Sequence, residues 1–231
     1  MSTRHSSWNH RLLVAQRLIS KFFYNGMGRK NAGLQPHSLY YIKPGYHHAH
    51  KAEPFDDTGN TDEWESEVYD LGASLMKGKQ EASIIDVGCG SAWKLIHSLG
   101  HYSTTGIETE PTYTWLKNKY PERNWLLFDN ADPLQLQADL VICADVIECL
   151  EDPDTLLDFL DNIQFKQLLI STPERDTVAG SRDYGPPKNI TRYREWNAIE
   201  FKMYVGERFK IKEQVIFKYK SVTQALICEK K

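Results

Sequence analysis

The stretch IIDVGCGSAWKL, residues 84–95, constrains the fold of this chain more than any other part of it. A short apolar run rich in β-branched residues leads directly into two glycines one residue apart, and a helical pattern starts immediately behind them. Gly88 and Gly90 permit a tight turn and a close backbone approach, while the helix that follows presents N–H groups and the positive end of its dipole. A polar or charged head group is what such a turn holds. Glu108 stands 22 positions beyond Asp86, at the end of the next apolar run, where a carboxylate can accept both hydroxyls of an adenosine ribose.

From residue 83 onward, short apolar runs alternate with helical patterns, the signature of βαβ units and a parallel sheet. Strands are expected at 83–87, 103–107, 124–128, 140–143 and 167–171, with helices near 92–99, 111–119 and 153–164. Asp152 caps the last of these helices and Pro153 occupies its first turn. Asn197 and Glu200 have the spacing of a capping box for a helix reaching about Val205. The closing segments FKIKEQVIFKYK and SVTQALICEK are separated too briefly for a crossover, so they pair as an antiparallel hairpin. Upstream, Leu12, Ala15, Ile19 and Phe22 mark an amphipathic helix over 10–24, followed by the break NGMGRKNAG. Residues 34–59 show no periodicity and read as an ordered loop or lid. Asn60 with Glu63 then caps a helix whose buried stripe is Trp64, Val68, Leu71 and Leu75. The expected division is 1–59, a helix and lid-like extension, and 60–231, the main domain.

A dinucleotide is the first ligand to weigh. The pyrophosphate fingerprint is G-x-G-x-x-G, whereas this chain reads Gly88, Cys89, Gly90, Ser91, Ala92, Trp93, with Asp86 two residues before the first glycine. An acid there repels a pyrophosphate but can pair with an ammonium group. DVGCGSA resembles motif I of the class I S-adenosylmethionine (SAM) dependent methyltransferases, D-x-G-x-G-x-G, with Ala92 in place of the third glycine. GIETEP (106–111) resembles the acidic loop of that family, which implies Glu108 on the ribose. FDNADP (128–133) resembles its adenine loop, which implies Asp129 and Asn130 near the purine. ADLVICADVIECLEDP (138–153) is similar to the family's DLVI-x-x-DVIEHL-x-DP, whose strand end lines the methyl-transfer site.

The resemblance implies an α/β fold: a Rossmann-like, seven-stranded, mostly parallel sheet with an antiparallel C-terminal hairpin and helices on both faces. It implies SAM as cofactor and S-adenosylhomocysteine as product. Asp86 would meet the methionine amino group, Gly88, Cys89 and Gly90 would pass under methionine and ribose, and Ala144 would line the cofactor. Asp145, at the end of the fourth strand, is the candidate catalytic residue. Cys149 stands where relatives usually carry histidine, so a metal or base role for that loop does not transfer, and no metal is expected. Glu148 reads as a capping or packing acid.

STPERDTVAGSRDYGPPKNITRYREW (171–196) follows the fifth strand at the sheet's carboxyl edge, where open α/β sheets bind ligands, and is longer than a connection needs. It resembles STP-x-R-D and GPP-x-N-x-x-H-x-REW of a bacterial subgroup of these methyltransferases, and DDTGNTDEW (56–64) resembles that subgroup's entry to its first domain helix. Arg192 occupies the subgroup's histidine position, so a histidine base does not carry over. Tyr184, Arg192 and Arg194 are candidate acceptor contacts, alongside Arg175, Asp183 and Trp196; pinning of the loop by arginine–carboxylate pairs is the competing reading. Tyr46 and His47, with His48 and His50, form a candidate lid. The implied acceptor is a small molecule, sugar or glycan.

Charge keeps a second acceptor class open. Residues 1–52 hold eight Lys or Arg, six His and no acid, so with a net charge of −3 the remainder carries −3 − 8 = −11. A basic amphipathic start suits an arm for an anionic partner such as nucleic acid, a mitochondrial transit peptide, or a docked helix with a solvated basic face, which is the reading preferred. The N/D-PP-Y/F motif of base N-methyltransferases is missing at the fourth strand and the domain proper is acidic, which favours the small-molecule or glycan acceptor. A non-catalytic methyltransferase-like binding protein is the reading from a different class. Cys89, Cys143, Cys149 and Cys228 show no metal-ligand spacing and read as reduced thiols, and no apolar run of about 18 residues could span a bilayer. The expectation is a cytoplasmic protein of unknown oligomeric state.

Overall fold

The structure, a computed structural model, describes residues 39–59, 66–218 and 222–231. The helix expected over 10–24 and the Asn60–Glu63 capping box lie outside the described residues. The elements are α1 (Ser66–Met76), β1 (Ser83–Val87), α2 (Trp93–Leu99), β2 (Ser103–Glu108), α3 (Thr112–Lys119), β3 (Asn124–Leu127), β4 (Gln137–Ala144), α4 (Pro153–Asn162), β5 (Gln164–Pro173), α5 (Arg175–Val178), α6 (Ala198–Gly206), β6 (Phe209–Phe217) and β7 (Thr223–Lys230).

The strands form one sheet in the order β3-β2-β1-β4-β5-β7-β6. The first five are mutually parallel, while β7 runs antiparallel to both β5 and β6. The chain winds outward from β1 to β3 and then returns to place β4 on the other side of β1. That reversal opens a crevice at the carboxyl ends of β1 and β4, where ligands of such sheets bind.

The central strands read as continuous apolar runs because both of their faces are covered. On one face Ile84, Leu140, Ile142, Leu169 and Ile227 meet α1, α2 and α3 through Val68, Tyr69, Leu95, Leu99 and Leu116. On the other, Ile85, Val141, Cys143, Leu168, Ile170 and Cys228 meet Leu156, Leu157 and Leu160 of α4 and Phe201, Tyr204 and Val205 of α6. Ile42 and Tyr46, from the segment 39–59, belong to this second core.

β4 and β5 are longer than the sequence pattern suggests, pairing from Gln137 with Gln164. Their polar entries hide the strand period until Leu140 and Leu168. β3 stops at Leu127, where a 3-10 turn over Phe128–Asn130 begins. The cap expectations at Asp152 and Asn197 hold in detail. The Asp152 side chain accepts from the Asp154 N–H, and Asn197 and Glu200 bond reciprocally. Among the described residues no helix is long and apolar enough to cross a membrane.

Candidate functional site

The glycine turn joins β1 to α2. Gly88, Gly90 and Ala92 all have positive φ, at 79°, 56° and 55°, so Ala92 holds a left-handed conformation that glycine would adopt more cheaply. A Cβ on Gly88 would lie 2.5 Å from Cγ2 of Val146, and one on Gly90 would fall on Oδ2 of Asp57. Both bare positions are therefore packed against by the protein itself.

Every backbone N–H from Gly88 to Ala92 already donates inside the protein. Gly88 and Cys89 donate to the Ile107 carbonyl, and Ala92 donates to that of Cys89. Gly90 donates to Glu108 Oε1 at 2.8 Å, and Ser91 to Asp57 Oδ2 at 2.8 Å. Glu108, at the end of β2, accepts also from the Thr109 N–H. The turn thus faces the crevice with carboxylates rather than with open donors.

Asp86, the residue before the last of β1, is fully buried. Tyr69 Oη donates to its Oδ2 at 2.9 Å, whereas Oδ1 is buried with no partner among the described residues, as is Oδ1 of Asp57. Burial pushes the Asp86 carboxyl up to about 7, with Glu108 adding to the rise and the Tyr69 hydroxyl and Lys94 opposing it. An acid that holds its proton more tightly folded than unfolded stabilises most below its unfolded value, and loses that contribution as the pH rises through about 7. The stability of the ligand-free protein should fall between about pH 4 and about pH 7, by up to about 1.4 kcal/mol per pH unit from this one group. Asp86→Asn should remove that share of the slope in thermal or denaturant unfolding. Equal slopes in the two proteins would show that Asp86 is not the group responsible.

Asp129 and Asn130 follow β3, whose last residue pairs with Glu108, so they sit at the same sheet edge with exposed side chains. Ala144 ends β4, opposite Ser171 of β5. Asp145 comes next, at φ 52°, and its carboxylate accepts from the hydroxyls of Ser171 and Thr223. Two strands besides its own therefore orient this side chain. Glu148 is buried one turn further on, accepts from Thr172 Oγ1 at 3.0 Å and lies 3.9 Å from Arg192 Nε. Burial and the neighbouring Asp145 push its carboxyl upward.

The segment 39–59 forms a strap along the loop that follows α5. His47, Ala49 and Glu53 donate backbone bonds to the carbonyls of Tyr184, Tyr193 and Ile190. Tyr46 is buried and its hydroxyl accepts from the Glu195 N–H, whereas His47 is exposed. Tyr184 is half-exposed, with Lys43 Nζ 4.1 Å from its ring centre. Arg192 pairs with Glu195 at 2.6 Å. Arg194 is buried, donates to the Leu150 and Glu151 carbonyls and stacks on Tyr40. Arg175 is buried and fork-bonded to Glu200 at 2.7 and 2.9 Å, and Trp196 stacks on Tyr204. In Arg175 and Arg194 the loop-pinning role is visible. The fold thus sorts the residues into a group at the carboxyl ends of β1, β2 and β3 and a strap-and-loop group beyond β4 and β5, with Val146 against Gly88 as the seam.

Sequence reasoning missed Asp57 and Tyr69. Asp57 lies in DDTGNTDEW, a string noted only for its likeness, and Tyr69 follows Val68 on the helix face that covers β1. Among the described residues no group of His, Cys, Asp and Glu could hold a metal ion. No protein-family model matches the chain, and no curated protein sequence matches it. Solved structures do. Magnesium protoporphyrin IX methyltransferase from Synechocystis PCC 6803 with bound S-adenosylhomocysteine superposes with a TM-score of 0.54 at 16% identity, over 72% of this chain and 84% of that one. The methyltransferase domain of a bacterial Hen1 gives 0.55 at 17% identity, over 74% of this chain and all of that one. A SAM-dependent methyltransferase from Aquifex aeolicus gives 0.52 at 18%, over 76% and 98%. This chain shares their fold.

Proposed function

We propose that this chain is a SAM-dependent methyltransferase. The observation that carries this reading is the charge of the glycine turn. Its N–H groups are committed, two of them to carboxylates, and two buried carboxylate oxygens, on Asp86 and Asp57, have no partner among the described residues. A pyrophosphate needs open donors and meets repulsion here. SAM carries an ammonium and a sulfonium against one carboxylate, so its net positive charge fits an acidic cradle. Asp86 is assigned to its ammonium, Glu108 to the ribose hydroxyls, Gly88 to Gly90 and Ala144 to the surface beneath, and Asp129 with Asn130 to the adenine edge.

When bound, SAM supplies an electrophilic methyl group: the acceptor's lone pair forms the new bond, the C–S bond breaks, and its electron pair stays on sulfur in S-adenosylhomocysteine. The chain's own part is alignment, exclusion of water and, for a hydroxyl or a protonated amine, removal of one proton. Asp145 is the candidate for that contact, since Ser171 and Thr223 orient its carboxylate at the end of β4. His47, Tyr184 and Arg192, from the strap and the loop, are assigned to the acceptor. The bacterial small-molecule or glycan subgroup is the preferred acceptor class, in a cytoplasmic setting. The basic first 52 residues support nucleic acid as the second reading.

Calorimetry with S-adenosylhomocysteine and with NAD tests the cofactor. Binding of the first and none of the second is expected, and NAD binding alone would overturn the assignment. Formation of S-adenosylhomocysteine in an acceptor screen with labelled SAM separates an enzyme from a non-catalytic binder.

A further inference from the structure

We propose that Asp57 is a cofactor-binding residue, its free carboxylate oxygen taking the α-ammonium of the cofactor's amino-acid part, so that the strap supplies one wall of the cofactor site. The inference rests on the SAM reading above and deepens it. Asp57 reaches the turn from 34 positions upstream, where Oδ2 accepts the Ser91 N–H at 2.8 Å. That contact exists because position 90 is glycine: any Cβ there would collide with the carboxylate. The second glycine of the turn thus admits a side chain of this protein.

Oδ1 of Asp57 is buried and has no partner among the described residues. Beside the same turn, Asp86 is fully buried and its own Oδ1 has no partner among the described residues, an independent sign that a donor is missing. The fields of Asp86, Glu108 and Asp57 all reach the Cys89 thiol, whose deprotonation burial and these charges oppose, so the three carboxylates share one neighbourhood. A buried acceptor left without a donor is costly, the more so when charged. An ammonium has three N–H donors and a positive charge, enough to serve both orphaned oxygens together. A neutral head group brings no charge to offset the carboxylates, and an anionic one is repelled by them.

Asp57→Asn is isosteric, keeps an oxygen for the Ser91 N–H and removes the charge. Calorimetry should compare wild type and this variant with two probes: S-adenosylhomocysteine, which has the ammonium, and 5′-methylthioadenosine, which keeps adenosine and sulfur but lacks the amino-acid part. Asp57→Asn should weaken the first by about 10-fold or more and change the second by less than about 2-fold. Retained binding of the second probe also shows that the variant is folded. Equal weakening of both probes would reduce Asp57 to a strap anchor, and tighter binding of S-adenosylhomocysteine would make it a plug that the cofactor must displace; either result overturns the proposal. If wild type binds S-adenosylhomocysteine and the variant binds it equally well, Asp57 alone loses its role. If wild type binds neither probe, the cofactor reading itself fails.

Discussion

Replacing Glu108 with alanine should weaken S-adenosylhomocysteine binding by about 10- to 100-fold, the range expected when charge-assisted hydrogen bonds of about 1.5–3 kcal/mol are lost. Two effects add. The ribose hydroxyls lose their acceptor, and the Gly90 N–H, now held at 2.8 Å, loses its own. Glu108→Gln retains an oxygen for Gly90 and should fall between wild type and alanine. The change should extend to 5′-methylthioadenosine, which keeps the ribose, and so differ from that of Asp57→Asn. Titration calorimetry reads both. Unchanged affinity in Glu108→Ala would remove Glu108 from the ribose and leave it a role in shaping the turn alone.

Arg175→Ala should cost about 3–5 kcal/mol of folding stability, the penalty for leaving one member of a buried ion pair alone. Its guanidinium is fully buried, binds both oxygens of Glu200, donates to the Glu195 carbonyl and reaches Asp176. Glu200 is itself buried and closes the capping box of α6, so its orphaned charge also strains the start of that helix. For a domain of this size the loss corresponds to a fall in Tm of about 6–20 °C. Arg175→Lys should recover only part, because an ammonium cannot make the fork. Arg175→Met with Glu200→Leu should recover much of it, since neither charge is then stranded. A fall of less than about 2 °C in Arg175→Ala would show that the pair carries little. Scanning calorimetry or circular dichroism decides.

The glycine turn and its strands were legible in the sequence because their parts are local. Strand, glycine turn and helix start lie within a dozen residues, and β2 delivers Glu108 to the level of the turn by simple parallel register. The caps at Asp152 and Asn197 were legible for the same reason, since each bond spans two or three residues. The acceptor side was harder. Composition and likeness mark Tyr184, Arg192 and Arg194 as acceptor contacts and Tyr46 as part of a lid, but nothing in their spacing distinguishes a guanidinium held by the Leu150 and Glu151 carbonyls from one turned to a ligand.

What the sequence determined alone is the kind of fold and the place of the glycine turn, because strand and helix periods and capping chemistry act between near neighbours. Tertiary structure decided which groups fill that turn. Asp57 comes from a segment with no period and meets Ser91 across 34 residues, Tyr69 on α1 reaches Asp86 on β1, and Ser171 on β5 and Thr223 on β7 hold Asp145. Such contacts form only when the sheet brings distant parts of the chain to one edge, and long-range pairing leaves no periodic mark in the chain itself.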